Sequence, residues 1–129
     1  MSSNSSKRSV RTGRLIYLVG PSGAGKDTLI AHARGKLAHR LPLSIAHRYI
    51  TRTPHGASEN HIFLTPEEFA ARAHAGLFAM QWDSNRLRYG IGVEIDQWIA
   101  AGVSVLVNGS RGYLRDALQR YPDLRLVSV

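Results

Sequence analysis

Apolar residues follow two rhythms along this chain, short unbroken runs and spaced repeats, and the two alternate. LIYLV at 15–19 is an unbroken run leading straight into glycines, the pattern of a buried strand. Over 26–40 the apolar residues Leu29, Ile30, Ala33, Leu37 and Ala38 recur at helical spacing, and Pro42 closes the segment. Residues 45–50 predict a second strand, and the polar stretch TRTPHGASEN after it predicts a surface loop. A brief strand follows at 61–64. Thr65-Pro66-Glu67-Glu68 then reads as a helix start, with Thr as cap, Pro first and Glu reaching back; the helix runs to about Ala75, where Gly76 stops it. Residues 77–82 and 86–89 predict two strands around Asp83, Ser84 and Asn85, and 93–101 predicts a helix with Gly102 beyond its end. VSVLV at 103–107 is another buried strand, 112–121 a last helix ended by Pro122, and 124–129 is strand-like to the final residue.

Strands alternating with helices imply an α/β fold, a mainly parallel sheet with helices on both faces, with the hairpin-like middle as a small inserted subdomain. A doubly wound domain covers its strands with helices, and none follows the last strand here. The pattern therefore predicts a domain incomplete at its C-terminus. The expected organisation is a basic, disordered lead-in at 1–13 and one domain at 14–129.

Composition narrows the partners. In 129 residues the formal net charge is +8, carried by fourteen arginines against three lysines, and guanidinium grips phosphate bidentately. A polyanionic partner is implied. The charges are scattered with no aromatic-interleaved basic stripe, so a phosphorylated small molecule is expected and nucleic acid is not. The chain has no cysteine, which excludes disulfides and thiolate metal sites. The first residues lack the apolar core of a secretory signal, and charges interrupt every apolar run before membrane-spanning length. A cytoplasmic protein without a membrane partner is expected; nothing in the sequence fixes its oligomeric state.

The chemistry concentrates in GPSGAGKD at 20–27. The pattern G-x-x-x-x-G-K-[ST] needs glycines so that successive backbone N–H groups can curl around an anion, and a lysine to reach the outer phosphates. Gly20, Gly23, Gly25 and Lys26 supply these, and the helix that follows points its positive end at the same anion. Gly20, Pro21, Ser22, Gly23, Ala24, Gly25, Lys26, Asp27 and Thr28 are thus the candidate ATP site. One position departs, because Asp27 stands where a Ser or Thr hydroxyl normally meets magnesium. Its carboxylate is a hard oxygen ligand for Mg2+, directly or through water; the alternative is that it only complements the helix dipole, worth about 0.3–1 kcal/mol.

GPSGAGKDTL, YITRTP, ENHIFLTPEEF, LRYGI and VLVNGSRG follow the order and spacing of guanylate kinases, so residues 14–129 resemble that superfamily. Within it, the GKD ending and the HRYITR and VNGSR segments look most like the ribose 1,5-bisphosphate phosphokinases of phosphonate breakdown. That resemblance implies an ATP- and magnesium-dependent kinase converting ribose 1,5-bisphosphate to phosphoribosyl pyrophosphate. It is departures from guanylate kinase that favour this branch. Met80 stands where the resemblance puts a guanine-reading Glu, and Ser110 where it puts the second Asp of a strand-end D-x-D. The resemblance also implies an arginine-rich acceptor site: Arg52 matches the family's TR arginine, Arg48 and Arg111 are extra, Tyr89 matches the YG tyrosine, and His61 takes a phosphate-binding tyrosine's slot. Lys26 and Arg52 are the candidate catalytic residues, and Arg48, Arg52, His61, Tyr89, Ser110 and Arg111 the candidate acceptor ligands.

Plainer roles stay open for each. Arg48 or Arg52 could be a solvated charge, Tyr89 core packing, Arg111 a partner of Asp116, and His61 a polar residue on an edge strand. Asn108 ends a strand where P-loop enzymes often carry a magnesium-ordering Asp. Relatives continue into a lid segment whose arginines neutralise charge at transfer, and this chain has none of it. A guanylate-type nucleoside monophosphate kinase and a nucleotide-binding remnant without catalysis therefore remain as alternatives.

Overall fold

The computed structural model describes residues 12–21, 23–37, 40–52 and 60–129. In chain order the elements are β1 (Leu15–Val19), α1 (Lys26–His32) continued by a π-helical turn (Ala33–Leu37), β2 (Leu43–Ile45), β3 (Arg48–Ile50), β4 (His61–Phe63), α2 (Pro66–His74), β5 (Phe78–Ser84), β6 (Leu87–Gly92), α3 (Glu94–Ala100), β7 (Ser104–Asn108), a 3-10 turn (Arg111–Tyr113), α4 (Leu114–Arg120) and β8 (Arg125–Ser128). They fall into two units, one of Met1–Ile45 with Asp96–Val129 and one of Ala46–Ile95.

The first unit is built on a four-stranded sheet of order β2-β7-β1-β8, parallel throughout. Its two central strands are apolar without alternation because both of their faces are covered. On one face Leu18 and Leu106 meet Ile30 of α1 and Ala33 of the π turn, with Ile16, Leu43, Ile45 and Val127 around them. On the other, Leu15, Tyr17, Val19, Val105 and Val107 are at most 1% exposed, and α4 brings the fully buried Ala117. Truncating a side chain such as Leu18 to Ala would cost about 2–5 kcal/mol. Asp96 of α3 accepts from the Tyr121 hydroxyl and from Arg120, each at 2.6 Å, tying α3 to the end of α4. Burial first, then the Asp96 carboxylate, pushes the Tyr121 phenol above its ordinary range.

The second unit is a sheet of order β4-β3-β6-β5, in which β3 and β4 run parallel and the other pairs antiparallel. The α2 helix lies on one face, where Phe69, fully buried, packs on Phe78 with ring centroids 4.6 Å apart, and Phe78 reaches Tyr49 at 5.7 Å. Arg72 lies over Tyr49 at 5.0 Å. Gly90 makes room for this layer, since a Cβ there would come within 2.6 Å of the Phe78 ring. The α2 start has the capping box read from its sequence: Thr65 Oγ1 accepts from Glu68 N at 3.1 Å, and Glu68 Oε1 accepts from Thr65 N at 2.8 Å. These bonds hold the exposed Glu68 carboxyl below its usual value.

The α/β fold with a parallel sheet and an inserted subdomain is as the pattern implies, and four details differ. Residues 45–50 are not one strand: β2 and β3 belong to different sheets, and the break at Ala46 and His47 carries no Gly or Pro to announce it. The helix expected over 26–40 is α-helical only to His32 and then loosens into the π turn, which contains Gly35; Ala38 and His39 lie outside the described residues. The tight turn falls at Asn85 and Arg86, with φ of 53° and 66°, because a two-residue hairpin turn that matches strand twist takes left-handed backbone at both central residues. Finally, Gly13 belongs to the fold and not to a lead-in. Its N–H donates to Ile99 O at 2.7 Å, and a Cβ there would overlap the Val103 carbonyl. Residues 1–11, and 53–59 of the expected loop, lie outside the described residues.

Candidate functional site

The phosphate loop leaves the carboxyl end of β1, between β7 and β8. Its left-handed glycines are Gly23 (φ 81°) and Gly25 (φ 96°), and among the described residues nothing lies within 4 Å of where a Cβ would stand on either, so both positions face open space. Only glycine adopts such a path without strain. Ala24 N donates to Pro21 O at 3.2 Å, which closes the first turn of the loop. Gly25 precedes α1 in left-handed geometry with no side chain capping the amides that follow. Lys26 folds back over the start of the loop, its Cδ 3.6 Å from the Cβ position of Gly20. Asp27 and Thr28 are exposed in the first turn of α1, and Ser22 lies outside the described residues.

Beside this loop, at the end of β7, stands a turn that the β1 strand holds in place. Leu18 pairs with Asn108, and Gly109 N donates to Leu18 O at 2.8 Å. The Tyr17 hydroxyl accepts from Ser110 N at 2.9 Å and donates to Ser110 O at 2.7 Å, and a Cβ on Gly109 would overlap the Tyr17 ring. Burial pushes the Tyr17 phenol up to about 12, so it is neutral at any ordinary pH. Asn108 is 4% exposed, and its Oδ1 is buried without a hydrogen-bond partner among the described residues. An unmatched buried acceptor is costly and asks for a donor or a cation. Arg111 reaches past the end of β1 and donates to Ser128 Oγ of β8 at 3.2 Å. Arg111 also borders an open groove of about 790 Å³, whose other walls are Gly112 and residues of α4, among them Arg115 and Asp116.

In the second unit, three of the named acceptor residues come together on the face of the sheet opposite α2. His61 and Arg48 are register partners on β4 and β3, and Arg48 Nη2 lies 2.7 Å from His61 Nε2. Guanidinium has donors only, so Nε2 accepts and the ring carries its proton on Nδ1. The Arg48 guanidinium lies over the Tyr89 ring at 5.0 Å, and Tyr89 stacks on Trp82, centroids 5.7 Å apart and planes 7° from parallel. His61 thus anchors an arginine as well as lying on an edge strand, and Tyr89 is half-buried in a stack instead of sealed in a core. The neighbouring β5 position on that face is Met80, 1% exposed and without a carboxylate.

Arg52 is exposed, just beyond Thr51, whose Oγ1 accepts from Arg88 N at 3.0 Å. Lys26, Ser110 and Arg111 belong to the first unit and Arg48, Arg52, His61 and Tyr89 to the second. Sequence reasoning did not single out Tyr17 or Trp82. A hydroxyl in the middle of a buried run was the available signal for the first, because buried phenols find partners; Trp82 had none.

No model of a known protein family matches the chain. Over 116 residues, 90% of this chain, it is 55% identical to the ribose 1,5-bisphosphate phosphokinase PhnN of Burkholderia mallei and covers 62% of that protein. The protein of the same description from Desulfomicrobium baculatum gives the same identity and coverage. That of Pectobacterium parmentieri is 55% identical over 109 residues, 84% of this chain and 56% of the relative. The chain therefore spans about three-fifths of the length of these relatives, and the resemblance read from its motifs holds over most of it. Among solved structures, a guanylate kinase from Anaplasma phagocytophilum matches with a TM-score of 0.72 at 17% identity, over 92% of this chain and 60% of the other. The fold is that of the guanylate-kinase-like P-loop kinases.

Proposed function

We propose that this chain is the nucleotide- and acceptor-binding part of a kinase that transfers the γ-phosphoryl group of ATP to ribose 1,5-bisphosphate, giving phosphoribosyl pyrophosphate and ADP. The observation that carries this reading is identity of 51–55% to eight phosphokinases of that description over 84–91% of the chain. The geometry agrees with it. The first unit offers loop amides, Lys26 and open space at Gly23 and Gly25 for the donor's phosphates. The second offers Arg48, held by His61 and Tyr89, on a face where Met80 has no group for a base edge. As proposed domain limits, 14–129 becomes 13–129, since Gly13 is packed into the fold.

Phosphoryl transfer needs positioning and charge neutralisation more than covalent chemistry. Lys26 and the loop amides hold the donor phosphates, Arg48 and Arg52 hold the acceptor, and Arg111 with Ser110 lies beside the loop. A 1-phosphate oxygen of the acceptor attacks the γ-phosphorus in line while the bond to ADP breaks. That oxygen is already ionised near neutral pH, so no side chain need remove a proton. Magnesium supplies charge neutralisation on the donor phosphates. The residues present suit it: the exposed Asp27 carboxylate and the unmatched Asn108 Oδ1 are hard oxygens near the loop, and this ion takes few protein ligands beside phosphate. A small phosphorylated sugar as substrate favours a cytoplasmic protein without a nucleic-acid or membrane partner. Among the described residues no helix is long and apolar enough to cross a membrane.

The experiment is a binding and product assay with magnesium and ATP against ribose 1,5-bisphosphate and GMP. Phosphoribosyl pyrophosphate as product supports the reading. Phosphorylation of GMP alone overturns it in favour of a nucleoside monophosphate kinase, and ATP binding with neither product makes the chain a nucleotide-binding module.

A further inference from the structure

Four side chains, one from each strand, form a stepped row on one face of the second unit's sheet, in the order of its strands: His61 on β4 opposite Arg48 on β3, then Tyr89 on β6, whose register partner on β3 is Ile50, opposite Trp82 on β5. The transfer chemistry above uses the first three and leaves Trp82 without a task. Trp82 is the register partner of Tyr89, and the two rings are within 7° of parallel. Tyr89 therefore has the indole on the β5 side and the Arg48 guanidinium 5.0 Å from its centroid on the β3 side. His61 Nε2 holds the far side of Arg48 at 2.7 Å.

Each contact removes a freedom of the next residue. A long arginine side chain must be ordered to bind an anion, and ordering it beforehand lowers the cost at the moment of binding. His61 fixes one end of the guanidinium by a directed hydrogen bond, and the Tyr89 face fixes its plane by cation–π attraction. That face is in place only while the tyrosine ring cannot swing toward β5, the direction Trp82 fills. Trp82 is not the strand's core filler, because Ala79 and Met80 on the same strand are the fully buried residues and Trp82 is only partly buried.

We propose that Trp82 is a positioning residue of the acceptor site: it holds the Tyr89 ring in place, and through that ring turns the Arg48 guanidinium toward a phosphorylated acceptor. The proposal rests on the reading that Arg48 meets the acceptor. It asks for an aromatic ring at position 82 and not for the indole N–H, so phenylalanine should serve.

The test measures, by calorimetry with magnesium present, the affinities for ribose 1,5-bisphosphate and for ATP in the wild type, Arg48→Ala, Trp82→Leu and Trp82→Phe. It also follows the Trp82 fluorescence, taken as the difference between wild type and Trp82→Phe. Trp82→Leu is expected to weaken acceptor binding about tenfold, the ratio that the loss of one aromatic pair gives at its upper range, and to leave ATP affinity within about twofold. Trp82→Phe should restore acceptor affinity, and acceptor binding should change Trp82 emission in the wild type but not in Arg48→Ala. If Arg48→Ala loses the acceptor while Trp82→Leu keeps it, this proposal falls and the functional reading stands. An equal loss of both ligands in Trp82→Leu makes the residue a general support of the fold and also overturns the proposal. Wild-type protein that does not bind the acceptor, or Arg48→Ala that binds it unchanged, overturns the functional reading and this proposal with it.

Discussion

The Tyr17 hydroxyl closes a double hydrogen bond with the backbone of Ser110, accepting from its N–H at 2.9 Å and donating to its carbonyl at 2.7 Å across 93 residues of sequence. The strand that launches the phosphate loop thereby fixes the turn after β7, which carries Asn108, Ser110 and Arg111. Tyr17→Phe keeps the ring beside Gly109 and takes away the partner of the Ser110 N–H, while the Ser110 carbonyl keeps its bond from Tyr113 N at 3.2 Å; the loss should cost about 1–3 kcal/mol in denaturant unfolding. Gly109→Ala should cost more, because its Cβ runs into the ring. A Tyr17→Phe midpoint equal to wild type would show that the double bond adds no stability.

The same phenol sets an alkaline limit. Its value in the fold, about 12, lies above the 10.0 of an unstrained tyrosine, so the neutral form is favoured by folding. That contribution is fully present below pH 10 and is lost as pH rises from about 10 to about 12. Stability should fall over this window, and Tyr17→Phe should flatten part of the fall. Tyr121, also raised, supplies a remaining slope. Urea midpoints at several pH values above 9 in both proteins measure the difference.

On the donor side, Lys26→Ala should weaken ATP binding roughly ten- to hundredfold, the range that loss of a charge-assisted hydrogen bond of about 1.5–3 kcal/mol implies. Calorimetry checks it, and a variant that binds ATP normally would remove the loop from the donor site.

Metal support is separable from phosphate support. Asp27→Ser should retain ATP affinity at saturating magnesium and shift the magnesium concentration needed to reach it. Asn108→Asp should be tolerated better than Asn108→Leu, because only the first keeps an oxygen at the unmatched Oδ1 position. Identical magnesium titrations of Asp27→Ser and wild type would leave Asp27 with the helix dipole alone. Equal losses in the two Asn108 variants would take that residue out of the metal's support.

Thr65→Ala removes one half of the α2 capping box and should cost about 1 kcal/mol. Since Glu68 is held low by its Thr65 bonds, its contribution is present above the ordinary carboxylate value of 4.5 and lost as pH falls. Thr65→Ala should therefore differ from wild type less at pH 3 than at pH 7, as read from thermal midpoints.

The sequence made the donor loop legible because its chemistry is contiguous: glycines at fixed offsets, a lysine, a buried strand before and a helix after. The acceptor residues could be named only through resemblance, and their arrangement could not be read at all. Arg48 and His61 are thirteen positions apart, and Tyr89 reaches them because β6 pairs with β3 out of chain order. The change of sheet at Ala46 and His47 was invisible because both flanking strands are apolar enough to form one run. Tyr17 was hidden for a related reason. A tyrosine in a buried strand counts as apolar until its hydroxyl's partner, far along the chain, is seen.

The hairpin turn at Asn85 and Arg86 has a reach beyond its own two residues. Its geometry pairs Ser84 with Leu87, and counting back along both strands puts Trp82 opposite Tyr89. Side chains on a strand alternate by parity, so losing or gaining one residue in that turn would turn one of the two rings to the far side of the sheet. In evolutionary terms, small insertions and deletions at this solvent-facing tip act as changes to the acceptor row itself. Homologues that preserve the row should vary in composition at the tip while keeping its length.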